Sequence, residues 1–256
     1  MGMNKMITAI IQARMNSNRL PGKVLMPLVG KPVLAHIIER LSRSRMLNNI
    51  VVATSTQASD DKIIKFCESQ GVLYYRGSLD DVLDRYYKTA QTFASDIIVR
   101  ITGDCPVIDP VVLDAVISGF LAGNYDCYGL GGEFPDGLDC TVIRFHALEK
   151  AWQEAILKSE REHVVPYISK NPNIFNNGNL QLFNNLSHER WTLDEKRDYD
   201  FLNVVFDSLY KENEPFLTHE ILEFLDQNPE LRRVNQGIIR NEGYIKSIQA
   251  EKEISK

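Results

Sequence analysis

The feature that most constrains this chain is the regular exchange of short apolar runs with amphipathic stretches between residues 6 and 120. "MITAIIQ" (6–12) is short, apolar and followed by loop residues, the signature of a buried strand. Pro32 suits the first turn of a helix, and Leu34, Ile37, Ile38 and Leu41 recur at helical spacing behind it. "NIVVATS" (49–55), "GVLYY" (71–75) and "SDIIVRI" (95–101) read as three further strands. Between them, Ser59-Asp60-Asp61 opens a helix with acidic residues at its positive end. "SLDD" (78–81) has the form of a capping box ahead of a helix bearing Val82, Leu83, Tyr86 and Phe93. Tyr86 and Tyr87 therefore belong to a core stripe. Asp109 caps, and Pro110 begins, a helix striped with Leu113, Val116, Ile117 and Phe120.

Strand and helix in turn at this spacing imply βαβ crossovers, hence an α/β fold: a mainly parallel twisted sheet with helices on both faces. Ligands of such sheets bind beyond the carboxyl ends of the strands. The loop after the first strand (13–31) and the "GDCP" loop (103–106) after the fourth should share that rim.

The second half is less regular. "YGLGGEFPDGLD" (128–139) reads as an active-site loop or lid, "CTVIRF" (140–145) as a strand, and 146–157 and 160–170 as helices. Residues 171–185 form a polar connection with room for a small hairpin, and "ERWTLD" (189–194) ends a last strand. A helix with Leu202, Val205, Phe206 and Leu209 follows. The division expected is one domain over 1–215, with lid and acceptor insertions around 128–185, and a C-terminal helical extension over 216–256.

Composition matters mainly for what it excludes. A net charge of -5 argues against a broad nucleic-acid or anionic-membrane surface, so any anion must be held by a local cluster. The four cysteines form no C-x-x-C pair, no run is long enough for a membrane span, and the first apolar run is too short for a signal segment. Reduced cysteines in a cytoplasmic protein are the expectation.

One local cluster exists. "AIIQARMNSNRLPGKVL" (9–25) places Arg14, Arg19 and Lys23 within ten residues of a glycine-bearing loop. Such a loop can turn its N–H groups toward one anion, with arginine adding planar donors and lysine a point charge. One cation 4 Å from a phosphate charge is worth about 4 kcal/mol gross, before desolvation, at an effective dielectric near 20. The loop is not a G-x-x-x-x-G-K-[ST] phosphate loop, because Lys23 precedes valine and one glycine is missing. A solvated loop whose cations pair with surface carboxylates is the alternative.

"IIQARMNSNRLPGKVL" resembles the N-terminal signature of the sugar-acid cytidylyltransferases, the synthetases of CMP-activated keto-deoxyoctulosonate and acylneuraminate. The nearest resemblance is to the spore-coat polysaccharide biosynthesis protein F-like branch. "VVATS", "YRGSLDDVLDRYYKTA", "RITGDCPVIDP", "GLD", "SEREHVVPYI" and "RWTLDEKRDYDFL" match it in order between residues 7 and 205. The resemblance implies a Rossmann-like nucleotidyltransferase (nucleotide-diphospho-sugar transferase) fold. It also implies that Arg14, Arg19 and Lys23 hold a nucleotide triphosphate beside Gln12, Ala13 and Gly103, and that Asp104 and Asp194 bind Mg2+.

Magnesium chemistry suits that last point, since the ion takes one or two carboxylates and fills its shell with phosphates and water. Asp194 has a second reading as a cap of the following helix, for which Thr192 and Glu195 supply a capping-box pattern. Asp198 is a weaker candidate, better read as an exposed helix residue. Thr54 and Ser55 fall where the family reads cytosine, although strand-end hydroxyls also cap turns. Arg76 either meets a ligand or pairs with Asp80 or Asp81, and Arg100 is expected to brace Asp104. Asp136, Asp139, Arg161 and His163 fall where the family binds its acceptor, with turn-forming and helix-surface roles as alternatives.

The expectation is a magnesium-dependent nucleotidyltransferase in which an acceptor oxygen of a small acidic sugar attacks the α-phosphorus of CTP and pyrophosphate leaves. A homodimer is implied by the resemblance, and neither nucleic acid nor membrane is an expected partner. A nucleotide-sugar-dependent glycosyltransferase is the alternative enzyme, though its usual D-x-D element is missing from "GDCP". A non-catalytic nucleotide-binding protein would have lost the cations or the carboxylate.

Overall fold

The computed structural model describes residues 5–254. The expected alternation is present in order: β1 (Ile7–Gln12), α1 (Val33–Leu41), β4 (Asn49–Ser55), α2 (Asp61–Gln70), β5 (Leu73–Gly77), α3 (Val82–Thr92), β6 (Ile97–Thr102) and α4 (Pro110–Ala122). A two-residue ribbon, β2 (Pro27–Leu28) with β3 (Lys31–Pro32), interrupts the first connection. The cap of α4 is where the sequence puts it, whereas α3 is capped by Asp81 itself rather than by a box with Ser78, and the N-cap of α2 makes no side-chain cap bond. Asp81 accepts from the Asp84 N–H at the head of α3, and Asp109 accepts from the Val111 and Val112 N–H groups at the head of α4. Caps of this kind contribute about 1 kcal/mol each.

Seven strands form one sheet in the order β5-β4-β1-β6-β8-β7-β9, with β7 spanning Cys127–Gly131, β8 Thr141–Arg144 and β9 Asn177–Gln181. β5, β4, β1 and β6 run parallel, β8 is antiparallel to β6 and β7, and β9 is parallel to β7. The chain leaves β1 toward β4 on one side and returns to β6 on the other. The reversal therefore falls between β1 and β6, the place where such sheets open a ligand crevice.

The second half departs from expectation in three places. The start of the stretch read as a loop (128–139) is strand β7, because Gly129 and Gly131 leave room for close neighbours rather than ending the strand. The polar connection 171–185 holds no hairpin; it supplies β9 as a sheet edge. Residues 189–194 are not a strand but a segment joined by one bridge, Asp136↔Arg190. Helices α5 (Phe145–Glu154), α6 (Lys158–His163), α7 (Pro166–Lys170), α8 (Lys196–Leu209), α9 (Thr218–Gln227) and α10 (Glu242–Ile254) complete the chain.

Two apolar layers cover the sheet. One packs Ala9, Ile11, Val52, Val99 and Ile101 against α1, α4, α8 and α9, and it includes Phe216, Ile221 and Leu225 from beyond residue 215. The other packs Ile10, Ala53, Ile98 and Ile143 against α3, α5 and the segment through α6 and α7. The four cysteines are buried free thiols. Among the described residues no helix is long and apolar enough to cross a membrane.

Candidate functional site

Because β1 and β6 are neighbours in register, Gln12 opposite Thr102, the loops leaving their carboxyl ends emerge side by side. Gly103 donates to the Gln12 carbonyl at 2.9 Å. A Cβ at position 103 would lie 2.8 Å from that same oxygen, so only glycine permits the approach. Ala13 is buried and donates to the Ala53 carbonyl, fixing the start of the cationic loop against β4. The loop then folds on itself, with Gly22 donating to the Met15 carbonyl at 2.7 Å.

Lys23 is the centre of the site. Its ammonium is nearly buried and donates to Asp104 Oδ2 at 2.9 Å, Asp194 Oδ1 at 2.9 Å and the Leu193 carbonyl at 2.8 Å. Burial opposes its charge, but the two carboxylates outweigh burial and raise its pKa. Burial likewise pushes Asp104 up, yet Lys23 and the Thr102 hydroxyl prevail and hold it at about 2. Arg19 reaches the outer oxygen of Asp194 at 2.9 Å and Glu242 of α10 at 3.2 Å. Arg14, half-buried on the same loop, makes no hydrogen bond or ion pair among the described residues.

A single cation between two carboxylates is also what a divalent ion requires, so the donor set fits Mg2+ or a similar ion at Asp104 and Asp194. Among the described residues no group of three or more acidic, histidine or cysteine side chains could hold a metal on protein ligands alone. Phosphate oxygens and water would have to complete the shell.

Asp194 is not the cap that its alternative reading proposed. Glu195 is the N-cap of α8, and Asp198 reaches back to accept from the Asp194 and Glu195 N–H groups, both at 2.9 Å. Asp198 is thereby corrected: it is fully buried, not exposed. It also takes Arg190 in a two-pronged contact, both distances 2.9 Å. Arg190 extends to Asp136 at 2.9 Å and Asp194 at 3.4 Å, making it the hub that joins the loop after β7 to the carboxylate beside Lys23. Sequence reasoning missed Arg190, although it quoted the segment around it. Its only local signal is the i, i+4 and i+8 spacing of Arg190, Asp194 and Asp198.

Asp136 and Asp139 occupy the loop after β7. Gly137 between them has φ 115°, and a Cβ there would meet the Trp191 backbone at 2.7 Å. Asp139 accepts from Gly137 N–H at 3.0 Å and from Arg240 at 3.2 Å, so turn formation and charge pairing occur together. Burial, with Asp139 close by, raises Asp136 to about 7 despite Arg240 and Arg190.

Other candidates are engaged elsewhere. Ser55 is buried and donates to Asp60, whose other oxygen accepts from the Met15 N–H at 2.7 Å. Asp60, read only as a helix opener, thus ties β4 to the cationic loop. Thr54 is buried with an unpartnered hydroxyl. Arg76 pairs with Asp61 at 2.8 Å and donates to the Ser55 and Gln57 carbonyls, not to Asp80 or Asp81. Arg161 grips Asp81 with Nε and Nη2 and donates to the Trp152 carbonyl, leaving little of it for an acceptor. His163 meets Ser247 at 3.1 Å and Tyr244 edge-on, both from α10. Arg100 makes no bond to Asp104; that bracing belongs to Lys23.

The chain is similar to known proteins over most of its length. A family model described as cytidylyltransferase matches residues 8–233. The chain is 39% identical over 237 residues to an uncharacterized protein of Methanocaldococcus jannaschii, covering 91% of this chain and 95% of that one. It is 33% identical to the spore coat polysaccharide biosynthesis protein SpsF of Bacillus subtilis, covering 88% and 95%. A solved cytidylyltransferase of Leptospira borgpetersenii superposes with a TM-score of 0.85 at 34% identity, covering 92% of this chain and all of that one.

Proposed function

The chain belongs to the cytidylyltransferase family, and we propose on that premise that it uses CTP and a divalent cation, Mg2+ in the cell, to activate a small acidic sugar for surface-glycan synthesis. Family membership makes it a nucleotidyltransferase and sets aside the glycosyltransferase and non-catalytic readings. The observation that carries the proposal is the Lys23 ammonium held between Asp104 and Asp194, with Arg19 and the partnerless Arg14 on the same loop. It supports a site where cations and carboxylates converge on one polyphosphate.

In this reading the protein works by positioning and charge neutralisation rather than by covalent chemistry. Arg14 and Arg19 take the phosphate oxygens, and the loop N–H groups add fixed donors. Asp104, ionised at any pH well above 2, and Asp194 hold the divalent cation. Held there, a divalent cation would supply polarisation of the α-phosphate and a lowered pKa for an acceptor hydroxyl. Lys23 lies between the same two carboxylates, and its ammonium would add positive charge beside a bound triphosphate. A homodimer in the cytoplasm remains part of the proposal.

The test is a pyrophosphate-release screen crossing four nucleoside triphosphates with a panel of acidic sugars, with and without Mg2+. Release that needs CTP, an acidic acceptor and the ion supports the proposal. Release with another nucleotide, or unchanged release after chelation, overturns the corresponding part.

A further inference from the structure

Two arginines that are not on the surface lack every partner among the described residues. Arg14 belongs to the nucleotide loop; Arg100 does not. Arg100 lies on β6, opposite Ile10 of β1 and Thr141 of β8. Since Val99 and Ile101 face the α1 and α4 side, alternation sends Arg100 to the other face, with Ile98 and Ile10. There its Nε is shut off from solvent with no acceptor. Gln12, on the same face one register step on, has a buried Oε1 that is likewise unpartnered. Tyr86 rises between them, donating to the Ile10 and Ile101 carbonyls. His163 of α6 is near enough for the Arg100 charge to help depress its pKa, after burial.

An enclosed guanidinium N–H with nothing to donate to carries the full desolvation penalty of that group. Arg85 also has a buried Nε without an acceptor, but its Nη1 donates to the Ser78 and Leu79 carbonyls, whereas Arg100 donates through none of its nitrogens. Arg40 donates to the Ile108 and Phe216 carbonyls, and Arg190 takes three carboxylates. The penalty at Arg100 is relieved if an anionic group is its natural partner. It stands four residues before Asp104, no more than about 13 Å along the strand, a span that a small acceptor can bridge.

We propose that Arg100 is the residue that reads the charge of the acceptor, receiving a carboxylate or phosphate group on the face of β6 that it shares with Ile98. The inference rests on the activation reaction for its purpose, but the anion site can be tested without it. Gln12 offers an oxygen to a hydroxyl beside that anionic group. The site thus favours a hydroxylated acid over a simple one, and it disfavours a neutral sugar.

The experiment uses the full chain as wild type, Arg100→Gln, Arg100→Lys and Arg14→Gln. Thermal unfolding is followed at constant ionic strength against sodium acetate and sodium phosphate. A stabilisation that Arg14→Gln retains and Arg100→Gln loses supports the site, and the anion that produces it identifies the group bound. An equal response in wild type and Arg100→Gln overturns it. In pyrophosphate release, Arg100→Gln should raise the acceptor KM tenfold or more, leave the CTP KM unchanged, and be partly rescued by Arg100→Lys. An unchanged acceptor KM also overturns the proposal. Absence of CTP-dependent release together with an Arg100-dependent anion response would instead strike the activation reaction and leave the anion site standing.

Discussion

The rim above β4, β1 and β6 and the rim above β8, β7 and β9 are built in different ways. In the first, each functional side chain sits within a dozen residues of a parallel strand end, and topology alone brings Gln12, Lys23 and Asp104 together. In the second, position comes from charge pairs between distant segments: Arg190 with Asp136, Arg240 with Asp139, Arg232 with Glu189. In the proposed reading, similar charged groups serve chemistry on one rim and architecture on the other. Substitutions should separate along that line.

The largest effect belongs to the architectural rim. Arg190→Met leaves Asp198, fully buried, without its guanidinium partner. Removing one member of a buried pair costs about 3–5 kcal/mol, and urea unfolding should report a loss of that size. A variant as stable as wild type would erase the distinction between the rims. On the other rim, Asp104→Asn should cut pyrophosphate release by about 10²–10³-fold, the scale for one electrostatic group at a reacting centre. Circular dichroism of that variant should stay native. Turnover near wild type would remove Asp104 from the chemistry.

The same contrast explains what the sequence could disclose. The parallel half is legible because a strand, its cap and its stripe are local patterns: as caps, Asp81 and Asp109 act within three residues of themselves, whatever else their second oxygens bind. Lys23, Asp104 and Asp194 were legible as candidates through their loops, but not that the ammonium would lie between the two carboxylates. Asp198 was misread because helix phase places a residue on a face without saying whether an arginine eight residues earlier folds back onto it. The pairing alternative for Arg76 names the wrong carboxylates for a related reason: Asp61, at the head of α2, is farther in sequence than Asp80 or Asp81 but lies beside the end of β5. Strand β7 was taken for loop because its glycines signal turns in isolation, while here they admit the neighbouring Cys140 carbonyl and Asn179 side chain.

Asp136 gives a smaller test of the architectural rim. Its folded pKa is raised, to about 7 against 3.8 for the free side chain, chiefly by burial and then by Asp139. The folded protein therefore binds this proton more tightly than the unfolded chain does between those values. Stability should fall as pH rises from about 4 to about 7 by up to one proton's slope. Asp136→Asn removes that dependence, so the wild-type urea midpoint should decline relative to the variant's across the window. Parallel profiles would mean that Arg190 and Arg240 keep Asp136 ionised throughout.

The smallest expected effect lies where the two rims meet. Arg19 of the cationic loop is shared between Asp194 and Glu242, and Glu242 is the first residue of α10, which also reaches His163 through Tyr244 and Ser247. A triphosphate that takes Arg19 must displace Glu242, an exposed pair of the kind that is weak and screened by salt. Glu242→Gln should therefore lower the KM for nucleotide by about two- to fivefold at low salt, with the gain shrinking as ionic strength rises. Arg19→Ala should cancel it, because Glu242 then has nothing to withhold. A KM that rises in Glu242→Gln would mean that α10 holds Arg19 ready for the phosphates instead of competing for it, and the second rim would then serve the chemistry of the first.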